Sequence, residues 1–162
     1  IFSIITARGH SPNILRQAVY NYIISDYEGI EKKQLLKNLK KFRDFVGIKD
    51  SSEKDMIEQY LDLCKFYPVT FGDEKSAVNP EIAKVMAMKE FVSYVKEMSS
   101  ILNKRTYLKS DLGNKFIPSQ PTIGFSDDDI KNVEMMDKSF KDDPKNIIKT
   151  YSTTGGIKKR YN

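Results

Sequence analysis

A chain of 162 residues, 40% hydrophobic and 30% charged, has enough apolar material for one ordinary domain with a real core, which excludes a disordered chain. Its one cysteine (Cys64) and one histidine (His10) exclude a disulfide within these residues and any zinc site built from several such ligands. Any metal would then be a hard cation held by oxygen, magnesium or calcium, and the net charge of +5 permits phosphorylated or nucleic-acid partners.

In chain order, "IFSIIT" (Ile1–Thr6) is apolar apart from Ser3, the pattern of a parallel strand buried on both faces. It is too short for a signal-peptide core and lacks a basic flank. After the turn "ARGH", Ser11 as N-cap and Pro12 at the first position open a helix. Its stripe is Ile14, Leu15, Ala18, Val19, Tyr22 and Ile23. Gly29 interrupts.

A second helix over Glu31–Val46 gathers Leu35, Leu36, Leu39, Phe42 and Val46 on one face and ends at Gly47. "SSEKDMIEQYLDLCKF" predicts a third, capped by Ser51 or Ser52, burying Met56, Ile57, Tyr60, Leu61 and Cys64. Residues 29–65 thus read as a helical insertion or cap-like element. "FYPVTF" (Phe66–Phe71) is strand-like, with Pro68 marking an edge or bent strand.

Asn79 and Pro80 start the next helix, whose stripe is Lys84, Ala87, Met88, Phe91, Val95, Met98 and Leu102. A lysine heading an apolar stripe needs an anion to meet it, or must snorkel to water. Asn103–Gln120 is polar with Gly and Pro and reads as an insertion or long loop. "PTIGFS" is a short strand delivering Asp127, Asp128 and Asp129; "DIKNVEMMDKSF" is a helix and "NIIKTY" a last strand. Residues 152–162, "STTGGIKKRYN", read as a basic tail; "STTGG" lacks the lysine and spacing of a P-loop. Met86, Met88, Met98, Met135 and Met136 read as core packing.

Strands alternating with helices predict an α/β domain with a mainly parallel sheet flanked by helices, with ligands at the carboxyl ends of its strands. Thr6 and Asp127 would share that edge. Thr6, with the amides of Ala7 and Arg8 at a helix entrance, suits a phosphate. Arg8 could instead pair with a surface carboxylate, and His10 reads as a turn residue, with a general-acid role as its alternative. Adjacent carboxylates repel unless a cation sits among them, so Asp127 and Asp128 suit magnesium. Taken singly, the triplet reads by default as a solvated turn or helix N-cap, and Thr6 as the plain end of a strand rather than as a phosphate ligand.

Together these segments resemble the haloacid dehalogenase-like (HAD) hydrolase superfamily. "IITARGH" is similar to its second motif, "KVMAMKEFV" to its third and "TIGFSDDDIKNV" to its fourth, in the family's order across Ile1–Val133. The "TARG" and "DDDxxN" variants most resemble phage and bacterial members near the polynucleotide 3′-phosphatases and small acid phosphatases. The resemblance implies a Rossmannoid sheet and magnesium-dependent phosphomonoester hydrolysis through an aspartyl-phosphate. Thr6, Ala7 and Arg8 would then bind the phosphoryl group, Lys84 (with Lys75 and Lys89 as rivals) would neutralise it, and Asp127 and Asp128 would hold Mg2+. The substrate would be a phosphorylated small molecule or a nucleic-acid end, with weak nucleic-acid contact through Lys-rich surfaces.

The family's first motif, D-x-D-x-[TV] after an apolar strand, has no counterpart in these 162 residues. Without it the attacking carboxylate and the central strand are missing. Since the chain starts without Met and in mid-strand, an upstream segment is expected, making residues 1–162 one N-terminally incomplete domain. An intact mass of 18.7 kDa for the natural protein would defeat that expectation. The alternative is a catalytically inactive module of a larger assembly. With no apolar run near the ~20 residues of a membrane span, the expected compartment is the cytoplasm, that of the host if the chain is viral.

Overall fold

The computed structural model describes residues 1–26, 30–46, 48–49, 52–70, 79–109, 120–142 and 147–161. The chain is mixed α/β. Strand β1 (Ser3–Thr6) leads into α1 (Pro12–Asn21), which runs on as a π-helical turn over Tyr22–Asp26. Helices α2 (Ile30–Val46) and α3 (Glu53–Asp62) follow, then β2 (Lys65–Pro68) and the long α4 (Pro80–Lys109). The last third holds β3 (Ile123–Asp127), α5 (Ile130–Phe140), β4 (Ile148–Ser152), a 3-10 turn (Thr154–Gly156) and β5 (Lys159–Arg160).

Local chemistry accounts for the starts of these helices. Ser11 Oγ accepts from the Ile14 N–H and Ser52 Oγ from the Asp55 N–H, so each side chain satisfies an amide that the first helical turn leaves open. Asn79 Oδ1 accepts from the Glu81 N–H with Pro80 next in line, and Asp129 Oδ1 accepts from the Lys131 N–H. Of the two serines that could cap α3, Ser52 does so; Ser51 lies outside the described residues, as do Gly29, Gly47, Phe71 and the side chains of Phe42 and Val46.

Among the described residues the strands form two sheets, where the sequence predicts one. In the first, β1 pairs in parallel with β2, from Ser3↔Lys65 to Thr6↔Pro68. In the second, β3 pairs in parallel with β4, from Ile123↔Ile148 to Asp127↔Ser152, and β4 pairs antiparallel with β5. Part of the expected tail is therefore a strand. Gly155 and Gly156, at φ of 68° and 76°, reverse the chain in a region that Cβ-bearing residues disfavour, and this brings Lys159 opposite Ser152. Lys158 then sits over the Tyr151 ring, 4.4 Å from its centroid.

Two apolar clusters hold the chain. One joins Val85, Met88, Phe91 and Val92 of α4 to Ile123 and Phe125 of β3, Val133 and Met136 of α5, and Ile147 and Ile148. The other lies in the helical region, from Ile23 through Leu36, Leu39 and Ile48 to Met56, Ile57 and Leu61. Arg16 braces it from outside, pairing with Glu58 and Asp62.

Several apolar expectations change. β1 is half-buried along its length, with one of its edges paired among the described residues. In α1 and its π turn Ile23 alone is buried among the described side chains; Ile14, Ala18 and Tyr22 are exposed, and the π turn shifts the phase of the stripe. Met88 and Met136 are core residues, Met98 and Met135 are half-buried, and Met86 faces out. α4 continues through Asn103 to Lys109, where a loop was expected; residues 110–119 lie outside the described part. Among the described residues no helix is long and apolar enough to cross a membrane.

Candidate functional site

The carboxyl end of β3 gathers the chemistry. Lys84, on the second turn of α4, reaches Asp127, the last residue of β3, with Nζ 3.0 Å from Oδ2. The two side chains are only 14% and 12% exposed, so this is a desolvated pair rather than a surface contact. It explains why a lysine heads the apolar stripe of α4: the stripe packs on β3, and its first member meets an anion at the strand end. Lys89, the described rival, is exposed, and Lys75 lies outside the described residues.

Asp127 is held on every side. Its Oδ1 accepts the Asp129 N–H at 2.9 Å, and its main-chain carbonyl accepts the Thr153 N–H at 2.9 Å. The Asn132 side chain, itself buried on the first turn of α5, bonds the same carboxylate. Burial alone would raise the Asp127 pKa, but the Asp129 amide, Lys84 and Asn132 together outweigh it and hold the carboxyl below its ordinary value. Asn132 was not singled out as a site residue from sequence. Its signal was a polar residue at a position one turn after the triplet, beside the core residues Val133 and Met136.

The neighbouring residues are placed differently. Asp128 is exposed and its side chain projects from the corner, while its carbonyl accepts from Thr154 Oγ1 at 2.9 Å. Thr154 is also within 2.8 Å of Ser152 Oγ, so the "STTGG" turn packs on the acidic corner instead of trailing from it. Asp129 acts as helix cap.

Thr6 ends β1 half-buried; Oγ1 accepts the Arg8 N–H at 3.2 Å, and its carbonyl accepts the Val69 N–H at 2.8 Å. The Arg8 amide expected to meet a phosphate is therefore already bonded, although the Thr6 hydroxyl keeps its own proton to donate. Ala7, Arg8, Gly9 and His10 are exposed. The Ala7 carbonyl accepts from Thr70 Oγ1. No bond joins Thr6 to Lys84 or Asp127 among the described residues. Ile5, however, packs into the same cluster as Val85, which places the end of β1 and the start of α4 in one neighbourhood.

The donor chemistry fits magnesium in kind. Asp127 and Asp128 are hard oxygen donors, and magnesium commonly takes one or two carboxylates with water and phosphate oxygens completing its shell. No group of three or more His, Cys, Asp or Glu that could hold a metal occurs among the described residues. No family model, curated protein or solved structure matches the chain. The site is accordingly defined by its own geometry: the Lys84–Asp127 pair, with the exposed Asp128 beside it in the chain.

The depressed pKa fixes the direction of a stability test. A carboxyl whose folded pKa lies below 3.8 contributes stability above that value and loses it as the pH falls through the folded one. Asp127→Asn should therefore lower the urea midpoint at about pH 7, and its difference from wild type should shrink at about pH 3. An undiminished difference at the lower pH would show that the charge is not what stabilises this corner.

Proposed function

We propose that this chain belongs to a magnesium-dependent phosphatase domain of the HAD-like type, hydrolysing phosphomonoesters at the carboxyl edge of its strands. The observation that carries the reading is the Lys84–Asp127 pair, a largely buried ammonium and carboxylate at the carboxyl end of a strand, where an α/β sheet places its ligands. Lys84 would neutralise phosphoryl oxygens, and the Thr6 hydroxyl would donate to one of them. Asp127 and Asp128 would hold magnesium, which when bound supplies charge neutralisation at the transferring group. A carboxylate outside these 162 residues would attack phosphorus and release the alcohol, which takes up a proton. Water would then cleave the resulting acyl phosphate to inorganic phosphate and the free carboxylate.

On this reading the two small sheets are halves of one Rossmannoid sheet. The substrate is a phosphorylated small molecule or a nucleic-acid end, the latter assisted by weak contacts from Lys-rich surfaces. A second reading, a non-catalytic scaffold in a larger assembly, is favoured by one observation: no D-x-D-x-[TV] motif follows an apolar strand in residues 1–162.

Hydrolysis of an aryl phosphate by the natural protein containing these residues, with and without magnesium, separates the two. The phosphatase reading expects magnesium-dependent turnover, reduced roughly 10²-fold or more by Asp128→Asn. No turnover at all would leave the scaffold, and turnover that ignores both magnesium and the substitution would overturn the metal site.

A further inference from the structure

The two carboxylates of the corner are held very differently. Asp127 is bonded through both of its oxygens, Oδ2 to Lys84 and Oδ1 to the Asp129 amide. The Asp128 carboxylate has no hydrogen bond or ion pair among the described residues. Its aim is therefore set by the main chain on either side of it. We propose, resting on the magnesium reading of this corner, that the Thr154 hydroxyl is a positioning group: it fixes the peptide that follows Asp128 and so presents that carboxylate to the ion.

The peptide group between Asp128 and Asp129 is gripped at both ends. Its N–H, from Asp129, donates to Asp127 Oδ1 at 2.9 Å, and its C=O, from Asp128, accepts from Thr154 Oγ1 at 2.9 Å. A peptide is planar, so bonds at its two opposite ends stop it turning about the chain. The peptide before Asp128 is held by the same turn, because the Asp127 carbonyl accepts the Thr153 N–H at 2.9 Å. Both backbone angles of Asp128 are thus set by the β4–β5 turn, and the rotamers open to a side chain depend on those angles. Any residue but proline at 153 could supply its bond from the main chain. The bond from 154 needs a hydroxyl.

The direction of that hydroxyl is settled by its neighbours. A carbonyl can only accept, so the single Thr154 proton is committed to Asp128. Ser152 Oγ, 2.8 Å from Thr154 Oγ1, must then be the donor between those two, and it accepts the Thr154 N–H at 3.3 Å. The turn is itself anchored: the Gly156 N–H donates to the Thr153 carbonyl, and the Tyr161 N–H to Thr150 across the β4–β5 pair. Magnesium demands near-ideal octahedral geometry, so a loosened aim in one ligand weakens binding. Groups that orient a ligand from outside the metal's own shell typically change affinity by about 10- to 100-fold.

The test uses the natural protein containing these residues, with Thr154→Val, which removes the hydroxyl but keeps the branched shape, and Thr154→Ser, which keeps the hydroxyl. Manganese accepts the same ligands as magnesium, and electron paramagnetic resonance counts the free ion during a titration. Thr154→Val should bind manganese about tenfold more weakly than wild type, and Thr154→Ser within about twofold of it. Without metal, hydrogen exchange at the Asp129 amide should quicken in Thr154→Val alone, since the other end of its peptide has lost a partner. Urea midpoints should stay near wild type in both, because one exposed hydrogen bond adds little to global stability. Equal affinity in wild type and Thr154→Val, a loss that serine does not restore, or unchanged Asp129 exchange would overturn the role of Thr154 and leave the metal site standing. A lowered midpoint with unchanged affinity would likewise overturn it, marking a merely structural residue. Failure of the wild type to bind manganese would overturn the magnesium reading, and this inference with it.

Discussion

Lys84→Ala is expected to reduce magnesium-dependent hydrolysis of an aryl phosphate by about 10²- to 10³-fold, the scale on which removal of one transition-state-stabilising donor acts. The same substitution should destabilise the fold by roughly 2–3 kcal/mol, somewhat under the cost of breaking a fully buried ion pair. Both effects have one source. Asp127 is fixed by the Asp129 amide and by Asn132, so it cannot swing out to water once its ammonium partner is gone. Kinetics and urea unfolding on the same variant separate them. Lys84→Arg should restore much of the stability but little of the rate, because a planar guanidinium cannot reproduce a compact point charge at this spot. Lys89→Ala, on the exposed side of the helix, should do neither. Parity between Lys84→Ala and Lys89→Ala in rate would remove Lys84 from the chemistry.

Ile57→Ala should have the largest effect on stability alone, about 3–4 kcal/mol within the 2–5 kcal/mol range for such truncations. Ile57 is 0% exposed and packs with Ile23, Leu36, Leu39, Met56 and Leu61, contributed by three helical segments. The cavity left by its side chain cannot collapse without moving all three. Since this cluster is separate from the one under β3, the rate constant of the folded variant should stay close to wild type. Urea midpoints measure the first expectation and hydrolysis well below the melting temperature the second. A loss near 1 kcal/mol would mean that the helical region relaxes around the gap.

What the sequence makes legible here is chiefly what short-range chemistry decides. Ser11, Asn79 and Asp129 cap their helices because a side-chain oxygen three or fewer residues away is enough to do so. Lys84 and Asp127 could each be singled out in advance because each was anomalous in its own surroundings, a cation in an apolar stripe and a carboxylate ending an apolar strand. That they pair with each other was not legible. What stayed hidden depends on partners distant in sequence. The stretch from Asn103 to Lys109 is polar, yet lysine, arginine and leucine extend an already nucleated helix at little cost. The basic "KKR" run pairs with Tyr151 and Ser152 only because Gly155 and Gly156 turn it back. Asn132 became part of the site only once α5 was docked on β3. The division of the strands into two sheets was not legible at all, since no local pattern in "SIIT" or "IGFSD" specifies which edge goes unpaired.

The claim on which the phosphatase reading depends is that a divalent cation binds at the Lys84–Asp127 corner. Manganese accepts the same carboxylate and water ligands as magnesium, and its unpaired electrons broaden the resonances of nuclei close to it. In a heteronuclear NMR titration of the 162-residue chain with manganese, the account predicts selective loss of the Asp127, Asp128 and Asp129 amide signals first, reversed by excess magnesium and absent in Asp128→Asn. Broadening centred on another carboxylate pair, such as Glu58 and Asp62 beside Arg16, or the same pattern in wild type and Asp128→Asn, would contradict it.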